Sequence, residues 1–113
     1  MSGDDGVEPE PDMELFDLRV TVDRIEGRSV CGLRVGDHFD VVNSSQLRLP
    51  DGAHFCLYAL AAVIPLLPAK QRRLPEHDWL ERDTLVACPD PDERLVMRIE
   101  RVARRALRST DLT

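Results

Sequence analysis

The sequence has 113 residues, of which 42% are hydrophobic and 32% are charged, a composition typical of one small globular domain. The formal net charge of −6 comes from the first 15 residues, which contain six acids and no base; the rest of the chain has 15 acids and 15 bases. This balance excludes the general basic field that attracts nucleic acid, so we predict no nucleic-acid partner.

The amino-terminal residues are mainly Gly, Pro, Asp and Glu, which have little apolar surface to bury. We therefore predict a disordered acidic tail over residues 1–14, with order beginning near Leu15. A single α+β domain is expected over residues 15–108, followed by a frayed carboxyl terminus over residues 109–113.

Alternation of apolar and polar residues predicts a small antiparallel sheet of about four strands. The predicted strands are Leu18–Ile25, His38–Val42, Thr84–Cys88 and Arg94–Arg101, with Gln46–Leu49 as a further short candidate. The last two strands form a hairpin around the Pro89-Asp90-Pro91-Asp92 turn. The residue pattern after Arg94 is also compatible with an amphipathic helix that runs to Leu107. We favour a strand to about Arg101, followed by a short helix over Val102–Leu107.

The longest apolar run, Ala53–Leu67, is rich in Ala and Leu and predicts one central buried helix. Asp51 is placed to cap it, and Pro65 should kink or restart it. The run is shorter than the about 20 apolar residues that span a bilayer, so no membrane partner is predicted. A wholly apolar helix in so small a domain favours a homodimer.

The chain has three cysteines, Cys31, Cys56 and Cys88, and no charged start followed by an apolar segment. This predicts reduced thiols in a cytoplasmic protein rather than a disulfide framework. No Cys-x-x-Cys pair is present, so the local zinc signal is absent. The cysteines could be small buried hydrophobes, reactive thiols, or ligands of a metal site with His54 or His38. No cofactor is predicted.

Cys56 is the strongest candidate for a reactive group, because free N–H groups at a helix start favour the thiolate. His54 could act as its base only if the turn between them is not regular helix. Asp90 belongs to a turn in which carboxylates usually bond their own backbone, and Trp79 could form a lid over the core. The candidate catalytic residues are Cys56, His54, Cys88 and Asp90, and the candidate pocket residues are Tyr58, Trp79 and Cys31.

Several short segments follow one another along the chain: Cys31-Gly32, Val35-Gly36-Asp37-x-Phe39, Cys56, Cys88-Pro89-Asp90 and Ile99-Glu100-Arg101. In this combination the chain resembles a family of small bacterial and archaeal proteins with a Gly-Asp-x-Phe strand, a cysteine opening an apolar helix, a Cys-Pro-Asp turn and a final strand ending in Ile-Glu-Arg. The resemblance covers about Leu18 to Val102 and brings no activity with it. Many members have a Trp where this chain has Leu57-Tyr58, and a Gly-Gly-x-x-Pro-Trp segment where it has Gln71–Pro75.

We therefore predict a small-molecule-binding protein, or a compact tailoring enzyme, with a cysteine-lined pocket at the start of the central helix. One alternative is a non-enzymatic homo-oligomeric interaction module. Another is a metal-binding protein that uses Cys and His. The residue patterns do not decide whether the chain is an enzyme.

Overall fold

The computed structural model describes residues 10–112, which form an antiparallel sheet with helical segments packed against it. The strands are β1 (Met13–Ile25), β2 (His38–Val42), β3 (Gln46–Arg48), β4 (Leu85–Ala87) and β5 (Leu95–Leu107), arranged in the order β3-β2-β1-β5-β4. The α+β class is confirmed, but the sheet has five strands rather than about four, because β3 pairs with β2. Most of the predicted acidic tail, residues 1–9, lies outside the described residues.

The two long strands β1 and β5 form the centre of the sheet and pair along almost their whole length. Their alternating apolar residues point to one side and build the core, as the sequence pattern predicts. The core residues from these strands are Leu18, Val20, Val22, Leu95, Met97 and Ile99. The opposite face is polar and carries ion pairs such as Arg19 with Asp40 at 2.8 Å.

The predicted helix over Val102–Leu107 is wrong, because β5 continues as a strand to Leu107. Its pairing partner is the first part of β1, which begins at Met13, slightly before the predicted onset of order. A bulge after Asp17 shifts the register, and Arg105 reaches the buried Asp17 carboxylate at 2.7 Å. Cross-strand pairing with a distant part of the chain therefore outweighs the helix propensity of Ala and Arg.

The apolar run forms one helical segment, Leu57–Lys70, which consists of α1 (Leu57–Val63), a 3-10 turn (Ile64–Leu66) and α2 (Leu67–Lys70). A third helix, α3, covers Trp79–Arg82. The segment begins four residues later than predicted, and the residue before it is Cys56 rather than Asp51. The residues before Cys56 do not form helix, because the ring of Phe55 packs edge-on against Phe39 with centroids 4.8 Å apart.

The segment passes Pro65 without ending, because the missing N–H falls in the 3-10 turn at its second position. Within residues 10–112 the buried face of this segment is that of Ala59, Val63 and Leu67. The opposite face remains exposed, which corrects the expectation of a helix buried on several sides. None of the helices in residues 10–112 is long and apolar enough to cross a membrane.

Arg101 fastens the end of the helical segment to the sheet. Its guanidinium donates hydrogen bonds to the carbonyl oxygens of Lys70 (2.9 Å) and Arg72 (2.7 Å) and to both oxygens of Glu81 (2.7 and 2.9 Å). It also lies over the ring of Phe16, 4.7 Å from the centroid. The hydrogen bonds from Arg101 are the main cause that lowers the pKa of Glu81 to about 2.

A close backbone approach joins the end of β1 to the turn before β5. The N–H groups of residues 26, 27 and 28 donate in sequence to the carbonyl oxygens of residues 94, 93 and 92. A Cβ atom at Gly27 would lie 2.0 Å from the carbonyl oxygen of Asp92. Glycine is therefore required at this position for steric reasons.

We expect Gly27→Ala to destabilise the fold by about 3 kcal/mol, the upper end for overpacking, because the obstructing atom belongs to the backbone. Gly52→Ala is the matched control: its Cβ meets nothing within 4 Å, so only its positive φ costs energy, about 1–2 kcal/mol. Urea denaturation of both variants measures the difference. Equal loss of stability in the two would contradict this account of Gly27.

Candidate functional site

A pocket of about 480 Å³ lies at the start of the helical segment. Three parts of the chain enclose it: the loop after β1, the first residues of α1, and the turn between β4 and β5. We call it the thiol pocket, and its lining residues are Val30, Cys31, Cys56, Leu57, Tyr58, Cys88, Pro89, Asp90 and Glu93.

The thiol pocket brings together five residues that the sequence singled out: Cys31, Cys56, Cys88, Tyr58 and Asp90. The three cysteines come from three separate parts of the chain, and all three are free thiols. Cys56 directly precedes α1 and Cys88 directly follows β4, whereas Cys31 lies in the loop between β1 and β2. Cys56 precedes the helix with an extended backbone, and its side chain makes no capping hydrogen bond.

Two other predicted site residues lie elsewhere. A ring nitrogen of His54 is 3.0 Å from the carbonyl oxygen of Cys31, and the ring lines a separate hollow together with His38. Trp79 begins α3, and its side chain is 61% exposed, so it does not cover the core. His54 is not among the lining residues of the thiol pocket, and no hydrogen bond joins His54 to Cys56 among residues 10–112.

The central group of the thiol pocket is Glu93, which the sequence reasoning missed. Its side chain is only 1% exposed. One carboxylate oxygen accepts hydrogen bonds from the backbone N–H groups of Val30 (2.8 Å) and Cys31 (3.2 Å) and from the Cys31 thiol (3.2 Å). The alternation that places Leu95, Met97 and Ile99 inward extends back to position 93, and this was the available signal.

Asp90 stabilises the turn that contains Glu93. Its Oδ1 accepts hydrogen bonds from the N–H groups of Asp92 (2.9 Å) and Glu93 (3.4 Å), and its carbonyl oxygen accepts one from Arg94. Arg94 adopts a left-handed backbone with φ of 46°. The carboxylate of Asp90 thus stabilises the local turn, as carboxylates in such turns usually do.

In the thiol pocket the pKa values of two thiols are raised and the pKa of the carboxyl of Glu93 is lowered. Burial, followed by hydrogen bonds to Glu93 and Cys56, raises the pKa of Cys31 to about 12. Burial is also the main cause that raises the pKa of Cys88. Burial opposes ionisation of Glu93, but hydrogen bonds from Cys31 and Val30 outweigh it and lower the pKa of the carboxyl.

At neutral pH this arrangement holds an ionised carboxylate among protonated thiols. The thiolate is the nucleophilic form of cysteine, so the raised pKa values argue against thiolate chemistry at Cys31 and Cys88. The Cys31 thiol instead donates a hydrogen bond to Glu93. Of the candidate catalytic residues, Cys56 is the thiol left for nucleophilic chemistry.

Among residues 10–112, no group of three or more His, Cys, Asp or Glu side chains could hold a metal ion. The convergence of the cysteines therefore does not supply a metal site in the part of the chain that is described. No family model, curated protein or solved structure matches the chain. The family resemblance remains a prediction, and the function has to be argued from the site.

We expect Cys31 and Cys88 to resist iodoacetamide in the folded protein at pH 8. A thiol with a pKa of about 12 is ionised there in only about one molecule in ten thousand. Peptide mass spectrometry after short labelling, with and without guanidinium chloride, measures this protection. Labelling of Cys31 as fast in the folded as in the unfolded chain would refute it.

Glu93→Gln provides the matched variant for this experiment. It removes the negative charge that opposes ionisation of the neighbouring thiols while keeping the size of the side chain. Labelling of Cys31 and Cys88 should then become faster in the folded protein, and a urea melt checks that the variant remains folded.

Proposed function

We propose that this chain is a small-molecule-binding protein and that its ligand occupies the thiol pocket. The observation that carries the proposal is an apolar mouth above a buried ionised carboxylate, in a pocket of about 480 Å³. This volume falls within the range of about 300–1,000 Å³ common for small-ligand sites. A cytoplasmic location is part of the same proposal and rests on the reduced cysteines.

The mouth of the pocket has apolar surface that a ligand would cover. Leu57 and Tyr58 are 69% and 68% exposed, and Val30 is also exposed. Burying an apolar side chain of this size contributes about 1.5–3 kcal/mol. The mouth therefore favours a ligand with a hydrophobic, preferably aromatic, body.

The floor of the pocket favours a ligand that carries a positive charge or N–H donors. Glu93 is ionised, yet the hydrogen-bond donors that reach it are neutral amides and a thiol. The residues lining the pocket in the described part of the chain include no Arg, Lys or His. A cationic ligand would offset the buried negative charge, and an anionic ligand would be repelled.

Binding accounts for these features better than catalysis does. A compact enzyme would use Cys56 as its nucleophile, and a thiol nucleophile is normally activated by an adjacent base. His54 instead contacts the backbone carbonyl of Cys31. A tailoring enzyme built on Cys56 therefore remains the less supported form of this proposal.

A second function, self-association, is favoured by the outer face of the helical segment. No charged residue occurs from Cys56 to Ala69, and Leu57 and Ile64 are exposed. Ile64 also borders an apolar groove together with Leu47 and Pro68. A face that offers both exposed apolar side chains and an apolar groove can pair with itself around a two-fold axis, so we propose a second copy of this chain as its partner.

The ligand class can be tested with 2-phenylethylamine and its anionic counterpart phenylacetate. The amine should shift the backbone amide signals of Val30 and Cys31 in two-dimensional NMR, and phenylacetate should not. Tyr58→Ala should weaken amine binding about tenfold, equivalent to ~1.4 kcal/mol. Trp79→Ala is the control for loss of an exposed aromatic outside the pocket and should leave binding unchanged. Equal binding of the two compounds would overturn the proposed ligand class.

Self-association can be tested by sedimentation equilibrium of the full chain. Ile64→Lys should convert the expected dimer into a monomer, because it would place a charge at the centre of the apolar face. Val102→Lys, which changes an exposed apolar residue of β5, should leave the dimer intact. A monomeric wild-type chain, or a dimer that only Val102→Lys disrupts, would contradict the proposed interface.

A further inference from the structure

Lys70 is the only lysine in the chain; the other 14 of its 15 basic residues are arginine. It ends α2, and its side chain is only 2% exposed. Lysine is almost never fully buried without a charged partner. A buried single lysine in a chain that otherwise uses arginine is therefore a feature that needs a physical account.

Lys70 makes few hydrogen bonds for a buried ammonium group. Its Nζ donates one hydrogen bond, to the carbonyl oxygen of Leu80 at 2.8 Å. No carboxylate lies within ion-pair distance of Nζ among residues 10–112. The ammonium form has three donors, so two of them have no protein partner in the described part of the chain.

Lys70 lines a hollow of about 300 Å³, separate from the thiol pocket and at the other end of the helical segment. Thr84 and Ile99 line it, together with two charged pairs. Arg101 is bound to Glu81 at 2.7 Å, and Arg98 is bound to Glu100 at 2.8 Å. Because these charges satisfy one another, Lys70 is the group in the hollow that lacks an opposite charge of its own.

This environment makes it easier for the Lys70 amine to lose its proton than it is in water. Burial lowers the pKa of Lys70 first of all, and the positive charge of Arg101 lowers it further, although Glu81 and Asp83 act in the opposite direction. A desolvated lysine next to another cation is the usual arrangement for a nucleophilic amine.

We propose that Lys70 forms an imine with the aldehyde or ketone group of a small molecule bound in this hollow. The lone pair of Nζ adds to the carbonyl carbon and gives a carbinolamine. That intermediate then loses one water molecule, made of the carbonyl oxygen and the two hydrogens of the neutral amine. Nothing is oxidised or reduced, and the reaction is reversible by water.

A carbonyl compound fits the hollow better than an anion does. The carboxylates of Glu81 and Glu100 line the same space and would repel an anion close to Lys70. A neutral carbonyl group avoids that repulsion, and the Thr84 side chain is near enough to the hollow to supply a hydroxyl.

The single lysine makes a direct experiment possible, because the N-terminal amine is the other primary amine of the unmodified chain. The full chain is treated at pH 7 with propionaldehyde and sodium cyanoborohydride, which delivers a hydride to any imine and fixes the adduct. Peptide mass spectrometry then compares alkylation at Lys70 with alkylation at the N-terminus. We expect Lys70 in the folded protein to react about tenfold faster than in guanidinium chloride.

A lysine that is buried only for structural reasons would give the reverse result, with slower alkylation in the folded than in the unfolded chain, and this would overturn the proposal. Lys70→Arg keeps a long basic side chain without a primary amine, so it should remove the adduct from position 70 while leaving that at the N-terminus. Thr84→Ile should narrow the hollow and slow alkylation of Lys70. Protection of Lys70 by inorganic phosphate, without faster alkylation in the folded state, would mark an anion site and also overturn the proposal.

Discussion

The geometry of the thiol pocket depends on one buried carboxylate. Glu93 is carried by the turn before β5, and its hydrogen bonds from Val30 and Cys31 bind that turn to the loop after β1. Burying a charge away from water is costly unless hydrogen bonds compensate it. Here two amides and a thiol provide the compensation, while burial, aided by the hydrogen bond to Glu93, keeps Cys31 protonated. Structure and site chemistry at this end of the molecule therefore follow from one interaction.

Arg101 plays the corresponding role at the other end of the helical segment. It donates to the carbonyl oxygens of Lys70 and Arg72, where a helix leaves its last acceptors without partners. The segment thus has an ionised carboxylate in the pocket at its start and the cation Arg101 at its end. That is the orientation of charge that a helix dipole favours. The helical segment thus connects the thiol pocket at its start with the hollow beside Lys70 at its end.

The sequence predicted the parts of the fold that depend on local patterns. Period-two alternation placed Leu18, Val20 and Val22 inward. The positions of Cys56 and Cys88 at the ends of predicted elements allowed these two thiols to converge but did not require it. It failed where distant parts of the chain decide the outcome. β5 extends to Leu107 only because the beginning of β1 pairs with it, and the helical segment starts late because Phe55 packs on Phe39. His54 was assigned to the site by its proximity to Cys56 in sequence, and Trp79 was assigned as a lid over the core. Neither argument fixes the direction in which a side chain points.

The burial of Glu93 and Lys70 was not predicted from the sequence, because a charged residue next to a turn or at a helix end is ordinarily solvated. Their burial gives a way to separate structure from function at each site. Replacing a buried charge by an apolar residue of similar volume is often neutral or stabilising when its partners are also satisfied. The donors around Glu93 would lose their acceptor, so neutralising it should cost stability whether or not a ligand binds. Among residues 10–112, Lys70 has a single hydrogen-bond acceptor, the carbonyl oxygen of Leu80, so the fold depends less on this side chain. A buried amine on which the fold depends little is better explained by its chemistry than by stability.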